Sequence, residues 1–204
     1  MTTFADKVVV PPLLCVLSGP SGVGKTSLCD RVVADVPDAV YSKSVTTRPR
    51  RPGEQDGEEY QFTTPEEFQA MQAGGLLLES ACVHGHHYGT PRGFVMEQLE
   101  QRKIIVLNID VQGGLQVMSS YPDGVFVFIL PPSREALMER LSGRGGDAPE
   151  SVEIRLANVD REVAEATRYQ YVVVNDDLDQ CAHRLVSILE AERSLRRRCY
   201  REET

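Results

Sequence analysis

The sequence predicts an α/β fold in which a parallel sheet is covered by helices on both faces. Three predominantly apolar runs with the length of buried parallel strands lie at residues 13–17, 104–109 and 125–130. Stretches with apolar residues at helical spacing alternate with these runs. A glycine-rich turn joins the first run to the first helix. This alternation is typical of sheets that bind ligands at the carboxyl ends of their strands.

The glycine-rich turn at residues 19–26 has the P-loop spacing G-x-x-x-x-G-K-[ST]. Its glycines let backbone N–H groups approach phosphate oxygens, and the next helix directs its N-terminal dipole at the same anion. Lys25 supplies a mobile positive charge for the β- and γ-phosphates, and the Thr26 hydroxyl suits a Mg²⁺ that keeps most of its waters. The sequence therefore predicts a polyphosphate site, with a chance glycine-rich turn as the alternative.

Composition limits the class of protein. The chain has 204 residues, 41% of them apolar, which is enough for a buried core in one domain with or without inserted subdomains. A net charge of −8 disfavours a general nucleic-acid or acidic-membrane surface. The five cysteines are widely spaced without C-x-x-C, which favours reduced thiols. Without a signal-peptide or transmembrane pattern, the expected location is cytoplasmic.

The chain after the first helix predicts a small α+β insert. Residues 41–44 read as a short strand, and residues 46–57, rich in Arg, Pro, Gly and Glu, as an irregular segment. Residues 64–67 (Thr-Pro-Glu-Glu) form a capping box that opens a short helix. Residues 76–83 are strand-like, and residues 84–89 are predicted to be the turn that follows.

The alternation of strands and helices then resumes. The predicted elements are a helix from Thr90 to about Gln101, a strand at 104–109, a short helix at 113–118, a strand at 125–130, a helix at 135–141 capped by Ser133, a loop at 142–147, a long helix with an apolar stripe from Val152 to Val163, a strand at 171–174, and a C-terminal helix from Asp177 to about Arg198. Arginines at the end of that helix complement its dipole, with docking or targeting as the alternative.

Arg48 and Arg51 are candidates for a second phosphate site. Their planar guanidinium groups suit a phosphate, and they are close enough in sequence to grip one group together. Since they follow the second strand, they are expected at the same sheet edge as the P-loop. The alternative for this segment alone is a solvated basic loop.

Four further polar residues are predicted at separate strand ends near that edge: Ser44, Glu79, Thr90 and Asp110. Carboxylates are poor neighbours for a phosphate, but they accept hydrogen bonds well. The N–H groups on the Watson–Crick edge of guanine need such acceptors. These four residues are therefore candidates for reading a purine base.

From about Leu13 to Leu189 the chain resembles the guanylate kinases of the P-loop nucleoside monophosphate kinase group. The resemblance rests on five segments in the same order, at residues 18–26, 46–54, 88–90, 108–113 and 174–178. It implies a single domain with a P-loop three-layer fold. That domain would consist of a core at about 1–44, 99–141 and 157–204, an inserted GMP-binding subdomain at about 45–98, and a short lid at about 142–156.

The resemblance implies reversible, Mg²⁺-dependent transfer of the ATP γ-phosphoryl group to GMP or dGMP, giving ADP and GDP. It assigns ATP binding to Gly22, Val23, Gly24, Lys25, Thr26, Ser27, Asn175 and Asp176. It assigns the GMP phosphate to Arg48, Arg51, Tyr60 and Tyr88, and guanine to Ser44, Glu79, Thr90 and Asp110. The implied catalytic residues are Lys25, Arg51 and the lid arginines Arg144 and Arg155, and Thr26 would hold Mg²⁺ through its hydroxyl and waters.

The chain departs from the family pattern in two places. Asn108 stands where the family commonly carries an aspartate, so the Mg²⁺ or guanine contact there is expected to differ by one charge. Val45 lacks a hydroxyl that is often present. Three histidines at 84, 86 and 87 suit a solvated turn better than a metal site, because no carboxylate or thiolate stands at ligand spacing.

Two other functions share parts of this pattern. Guanylate-kinase-like scaffold modules have the same fold, but typically with a degraded P-loop and without the lid arginines. Lys25, Thr26, Arg144 and Arg155 are all present here. A kinase for another nucleotide is disfavoured by Glu79, Asp110 and the arginine-rich stretch at residues 46–54, called the arginine segment below. The expected partners are therefore the small molecules ATP and GMP.

Overall fold

Five parallel strands form the central sheet, in the order β2-β7-β1-β8-β9. Their bounds are β1 Leu13–Ser18, β2 Ala39–Ser42, β7 Ile104–Asn108, β8 Val125–Leu130 and β9 Tyr171–Val174. The structure is a computed structural model that describes residues 9–83, 85–142 and 159–199. β1 is central and buried along its whole length, because every side chain from Leu13 to Ser18 is covered on one face or the other.

Helices cover both faces of this sheet. The helices of the described residues are α1 (Lys25–Asp35), α2 (Pro65–Ala73), α3 (Arg92–Glu100), α4 (Val111–Ser120), α5 (Arg134–Ser142), α6 (residues 159–164), α7 (Leu178–Arg193) and α8 (Arg196–Cys199), with a 3₁₀ helix at Glu165–Arg168. Of these, α1 and α7 pack on one face, and α3 and α4 pack on the other. Alternate residues of β1 pack into different clusters. Leu13, Cys15 and Leu17 belong to the cluster with α1 and α7, and Leu14 and Val16 to the cluster with α3 and α4.

The register of β1 and β7 determines what meets at the carboxyl edge. Leu17 pairs with Asn108, so the P-loop after β1 and the residues after β7 leave the sheet side by side. The Ser18 hydroxyl donates to the carbonyl of Asp110 at 3.3 Å across that junction. The parallel sheet and the predicted strand-to-helix P-loop are therefore confirmed.

A second, four-stranded sheet lies between β2 and β7 in sequence, with the order β4-β3-β6-β5. Its strands are β3 Val45–Thr46, β4 Gln61–Phe62, β5 Leu77–Val83 and β6 His86–Pro91. The capping box before α2 is present, since the Thr64 hydroxyl accepts from the Glu67 N–H and the Glu67 carboxylate accepts from the Thr64 N–H. Phe68 of α2 packs with Val45 and Leu77 in a separate small apolar cluster.

The predicted turn at residues 84–89 is wrong, because residues 86–91 form strand β6. This strand pairs antiparallel with both β3 and β5, so its backbone groups are bonded on both sides. The chain reverses between Val83 and His86, where Gly85 has φ of +80°. Helix α3 accordingly begins at Arg92 rather than at Thr90.

The predicted C-terminal helix is interrupted. Asp177 caps α7 by accepting from the N–H of Gln180, as predicted. The helix ends at Arg193, and the Ser194 hydroxyl bonds to the carbonyl of Glu190. Residues 196–199 then form the separate helix α8. In the part of the chain that the structure describes, no helix is long and apolar enough to cross a membrane.

Replacement of Val106 by Ala should destabilise the protein by about 2 kcal/mol, because Val106 is 0% exposed in the inner strand β7 and the loss of its two methyl groups leaves a cavity. Val172→Ala on the edge strand β9 is the matched control. Val172 is 49% exposed, so the loss should stay within about 0.5 kcal/mol. Urea unfolding of both variants measures the difference, and equal losses would contradict this assignment of the core.

Candidate active site

The P-loop joins β1 to α1 through backbone that only glycine adopts easily. Gly19, Gly22 and Gly24 have φ of +144°, +84° and +97°. The ammonium of Lys25 folds back over the loop and donates to the carbonyls of Gly19 at 2.6 Å and Pro20 at 3.1 Å. The cation therefore lies over the mouth of the loop, where a phosphate can replace these carbonyls as the acceptor of its hydrogen bonds.

Two side chains brace the P-loop from behind. Asn175 Nδ2 donates to the carbonyl of Val23 at 2.8 Å, and Arg140 donates to the carbonyls of Val23 at 3.4 Å and Asn175 at 3.0 Å. A Cβ atom on Gly24 would lie 2.5 Å from Asn175 Nδ2, so glycine is needed for this close approach. Asn175 is buried beneath the loop, whereas Asp176 is exposed, with its carboxylate 4.0 Å from Arg184.

Thr26 begins α1 facing the end of β7. Its hydroxyl accepts a hydrogen bond from Asn108 Nδ2 at 3.1 Å. The amide at position 108 therefore acts as a donor towards Thr26, which an ionised aspartate could not do. An oxygen lone pair and the hydroxyl proton of Thr26 are still available for a ligand.

The arginine segment forms the opposite wall. Arg48 pairs with Glu54 at 2.7 Å, and its guanidinium lies 5.4 Å from the centre of the Tyr60 ring. Tyr60 and Tyr88 meet edge to face at 5.8 Å. Burial raises the pKa of Tyr60, so its hydroxyl stays protonated and can donate to an anion. Arg51 is exposed beside this group.

Two acidic side chains lie between the two walls. Glu79 on β5 is 5% exposed and accepts a hydrogen bond from the Thr90 hydroxyl of β6 at 2.6 Å. Asp110 caps α4 and accepts from the N–H of Gly113 at 2.9 Å. A Cβ atom on Gly113 would collide with the Glu79 carboxylate, so glycine lets α4 approach it. Ser44 is buried between β2 and β3.

Both carboxyl groups hold their protons more tightly than usual. Burial raises the pKa of Glu79 to about 7, a net value that includes a lowering by the hydrogen bond from the Thr90 hydroxyl and a smaller rise from the charge of Asp110. Burial also raises the pKa of Asp110, opposed first by the N–H of Gly113 and then by the charge of Lys25. Carboxyl groups with perturbed pKa values in a cleft are candidates for a functional site.

One cleft of about 1070 Å³ connects the P-loop, the arginine segment and these carboxylates. Of the predicted site residues, those lining it are Gly22, Gly24, Lys25, Thr26, Ser44, Arg48, Arg51, Tyr60, Glu79, Tyr88 and Asp110. The lining does not include Val23, Ser27, Thr90, Asn175 or Asp176. Thr90 supports Glu79 from behind, and Asn175 supports the P-loop. Arg144 and Arg155 lie outside the described residues.

Five acidic residues that line the cleft had no predicted role: Asp30, Glu54, Glu58, Glu59 and Glu162. Glu162 on α6 lines the cleft, and burial raises its pKa while the charge of Lys25 lowers it. The sequence feature that could have indicated Glu162 is its place directly before Val163, which belongs to the predicted apolar stripe of this helix. Glu54 ends the arginine segment, where its contact with Arg48 depends on a turn that spacing alone does not give.

The histidine segment gives no metal cluster in the described residues. His87 lies on β6, and its ring stacks on Phe68 at 5.3 Å. His84 lies outside the described residues.

Comparisons with known proteins agree on one family. The family model described as guanylate kinase matches residues 12–192. The guanylate kinase of Symbiobacterium thermophilum is 47% identical over 182 residues, covering 89% of this chain and 86% of that protein. The guanylate kinase of Syntrophotalea carbinolica is 48% identical over 180 residues, covering 88% and 86%.

Solved structures give the same result. The crystal structure of guanylate kinase from Anaplasma phagocytophilum has a TM-score of 0.77 and 33% identity, covering 95% of this chain and 92% of that one. A shikimate kinase from Bacteroides thetaiotaomicron has a TM-score of 0.50 at 17% identity, covering 87% and 98%, and shares only the fold.

The raised pKa of Glu79 predicts a pH dependence of stability. Between its ordinary pKa near 4.5 and the folded value of about 7, the folded protein holds a proton that the unfolded chain has released. The free energy of unfolding should therefore fall as pH rises through this window. Glu79→Gln removes the titration while keeping an acceptor for Thr90. Relative to wild type, it should gain on the order of 2 kcal/mol between pH 5 and pH 8.

Urea unfolding at both pH values measures this gain. Glu66→Gln, on the exposed first turn of α2, is the matched control and should follow the wild type. If wild type and Glu79→Gln have the same pH dependence, the assignment of a proton to buried Glu79 is wrong.

Proposed function

Since the chain belongs to the guanylate kinase family, and is therefore a nucleoside monophosphate kinase, we propose that it transfers the γ-phosphoryl group of ATP to GMP or dGMP in a Mg²⁺-dependent reaction. The observation that carries this proposal is the single cleft that joins the P-loop to the arginine segment, with two carboxylates between them. Phosphoryl transfer mainly requires positioning and charge stabilisation, which such a cleft can supply.

On the donor side, the P-loop backbone and Lys25 bind the ATP phosphates. The braces from Asn175 and Arg140 support this role, because a rigid loop presents its N–H groups without reorganisation when the nucleotide binds. Asn175 then acts through the loop, and Asp176 would approach the adenine from the surface.

Thr26 would hold Mg²⁺ through its hydroxyl and through waters. The donor set fits this ion, because Mg²⁺ prefers oxygen ligands and Asn108 orients the Thr26 hydroxyl at 3.1 Å without adding a charge. When bound, Mg²⁺ neutralises charge on the β- and γ-phosphates.

On the acceptor side, Arg48, Arg51, Tyr60 and Tyr88 bind the phosphate of GMP. Glu79 and Asp110 accept hydrogen bonds from the N–H groups of guanine, with Ser44 and Thr90 beside them. Adenine has no N–H group at positions 1 and 2 to replace those of guanine, and a mismatch of this kind discriminates by about 10⁴ to 10⁵. The guanine N–H groups should also favour the ionised form of Glu79.

We assign acceptor binding to a subdomain at about residues 45–98 and closure over the nucleotides to a lid at about 142–156, with the core formed by the rest. The separate apolar cluster around Phe68 supports the first assignment. Arg144 and Arg155 would bring charge to the transferring group, a contribution of about 10³ to 10⁵ in related reactions. The five free thiols fit a reducing compartment, which supports the proposed cytoplasmic location.

A coupled assay of ADP release with ATP and GMP tests the proposal. Wild type should turn over GMP and dGMP, and the kcat/KM for AMP should be lower by about 10⁴. Lys25→Ala should lower kcat for GMP by about 10² to 10³, because a preorganised cation is lost from the transferring phosphates.

Lys103→Ala is the matched control, since Lys103 pairs with Asp38 at 3.7 Å outside the cleft and should leave turnover unchanged. Absence of GMP-dependent turnover in wild type would favour a scaffold module of the same fold. Comparable turnover of AMP and GMP would contradict the roles of Glu79 and Asp110.

A further inference from the structure

We propose that Glu54 is a positioning residue for the acceptor phosphate, holding Arg48 and the backbone of Arg51 in the arrangement that receives it. The inference rests on the proposed function, because it takes Arg48 and Arg51 to bind the phosphate of GMP.

Glu54 uses both of its carboxylate oxygens within the arginine segment. Oε1 accepts from Arg48 Nη2 at 2.7 Å, and Oε2 accepts from the main-chain N–H of Arg51 at 2.8 Å. The N–H of Glu54 in turn donates to the carbonyl of Arg51 at 3.2 Å, which closes a turn. Gly53 occupies this turn with φ of +89°. One carboxylate therefore ties the side chain of the first arginine to the main chain of the second.

The position of Arg48 is fixed from other directions as well. Its Nη1 donates to the carbonyl of Pro49 at 2.8 Å, and the guanidinium lies over the rings of Tyr60 at 5.4 Å and Phe62 at 5.7 Å. The side chains of Arg48 and Glu54 are only 10% and 16% exposed. A guanidinium has five N–H donors, so these two bonds leave donors for a phosphate.

Two opposite effects of Glu54 on phosphate binding have to be compared. Its negative charge repels a phosphate, and loss of that charge alone would strengthen binding. Its hydrogen bonds remove the entropy cost of ordering a long side chain, a factor of about two to ten in affinity for each such side chain. Arg48 lowers the pKa of Glu54, so the carboxylate is ionised at neutral pH and shares its charge with the guanidinium.

We expect the gain in GMP affinity from ordering to exceed the loss from charge repulsion, because Glu54 orders a side chain and a backbone turn together. The charge of the carboxylate is already largely compensated by the bond to Arg48. A glutamine at position 54 can accept through only one oxygen, and its NH₂ group would face one of the two donors. Glu54→Gln should therefore loosen both arginines while changing volume very little.

The test compares the affinities of GMP and guanosine, measured by calorimetry on the full chain. Guanosine has the same base and ribose but lacks the phosphate, so the ratio of the two affinities isolates the phosphate pocket. Glu54→Gln should weaken GMP binding about tenfold and leave guanosine binding unchanged. In turnover, the KM for GMP should rise by a similar factor, and the KM for ATP should not change. Glu66→Gln removes the same charge from the exposed start of α2 and should keep the wild-type ratio.

Each other outcome identifies what has failed. Equal or tighter GMP binding by Glu54→Gln would overturn the inference, because repulsion would then exceed ordering. A parallel loss of GMP and guanosine affinity would also overturn it, because the effect would not be confined to the phosphate. If wild type binds GMP no better than guanosine, the proposed function itself fails, together with this inference.

Discussion

Two anions have to be held side by side in a protein that itself carries a net charge of −8. Coulomb repulsion between the substrates opposes their approach, and the overall field of the chain adds to it. The fold counteracts this repulsion by placing cationic residues at particular points of the cleft. The β1–β7 register places the P-loop beside the residues after β7, and the second sheet brings the arginine segment to the same cleft. Lys25, Arg48 and Arg51 therefore line one cleft, where we propose that the phosphates meet.

Two cationic side chains of the cleft, Lys25 and Arg48, are held by protein acceptors in the structure. Lys25 lies on loop carbonyls, and Arg48 lies on Glu54. These contacts hold each cationic side chain in position and accept its hydrogen bonds until a phosphate replaces the protein acceptors. Behind the P-loop, Asn175 and Arg140 give the backbone the same kind of support. Preorganisation of this kind lowers the cost of ordering the site during phosphoryl transfer.

Most of the features that were predicted correctly from the sequence depend on local patterns of residues. The P-loop and the caps at Thr64 and Asp177 depend on residues within a few positions of each other, and the structure confirms them. Strand β6 was predicted to be a turn, because its His-His-Tyr-Gly sequence acquires strand character only by pairing with β3 and β5. Non-local contacts also decide the positions of Asn175 beneath the P-loop and of Glu162 at the cleft, and neither follows from spacing in the sequence.

The proposed reaction requires one cleft to hold the ATP phosphates and the GMP phosphate at once. A calorimetric titration with adenosine and guanosine joined through their 5′ oxygens by a pentaphosphate tests it most directly. The structure predicts that one molecule binds per chain, and that prior saturation with either ATP or GMP weakens this binding. Two molecules per chain, or competition by ATP alone, would contradict a shared cleft.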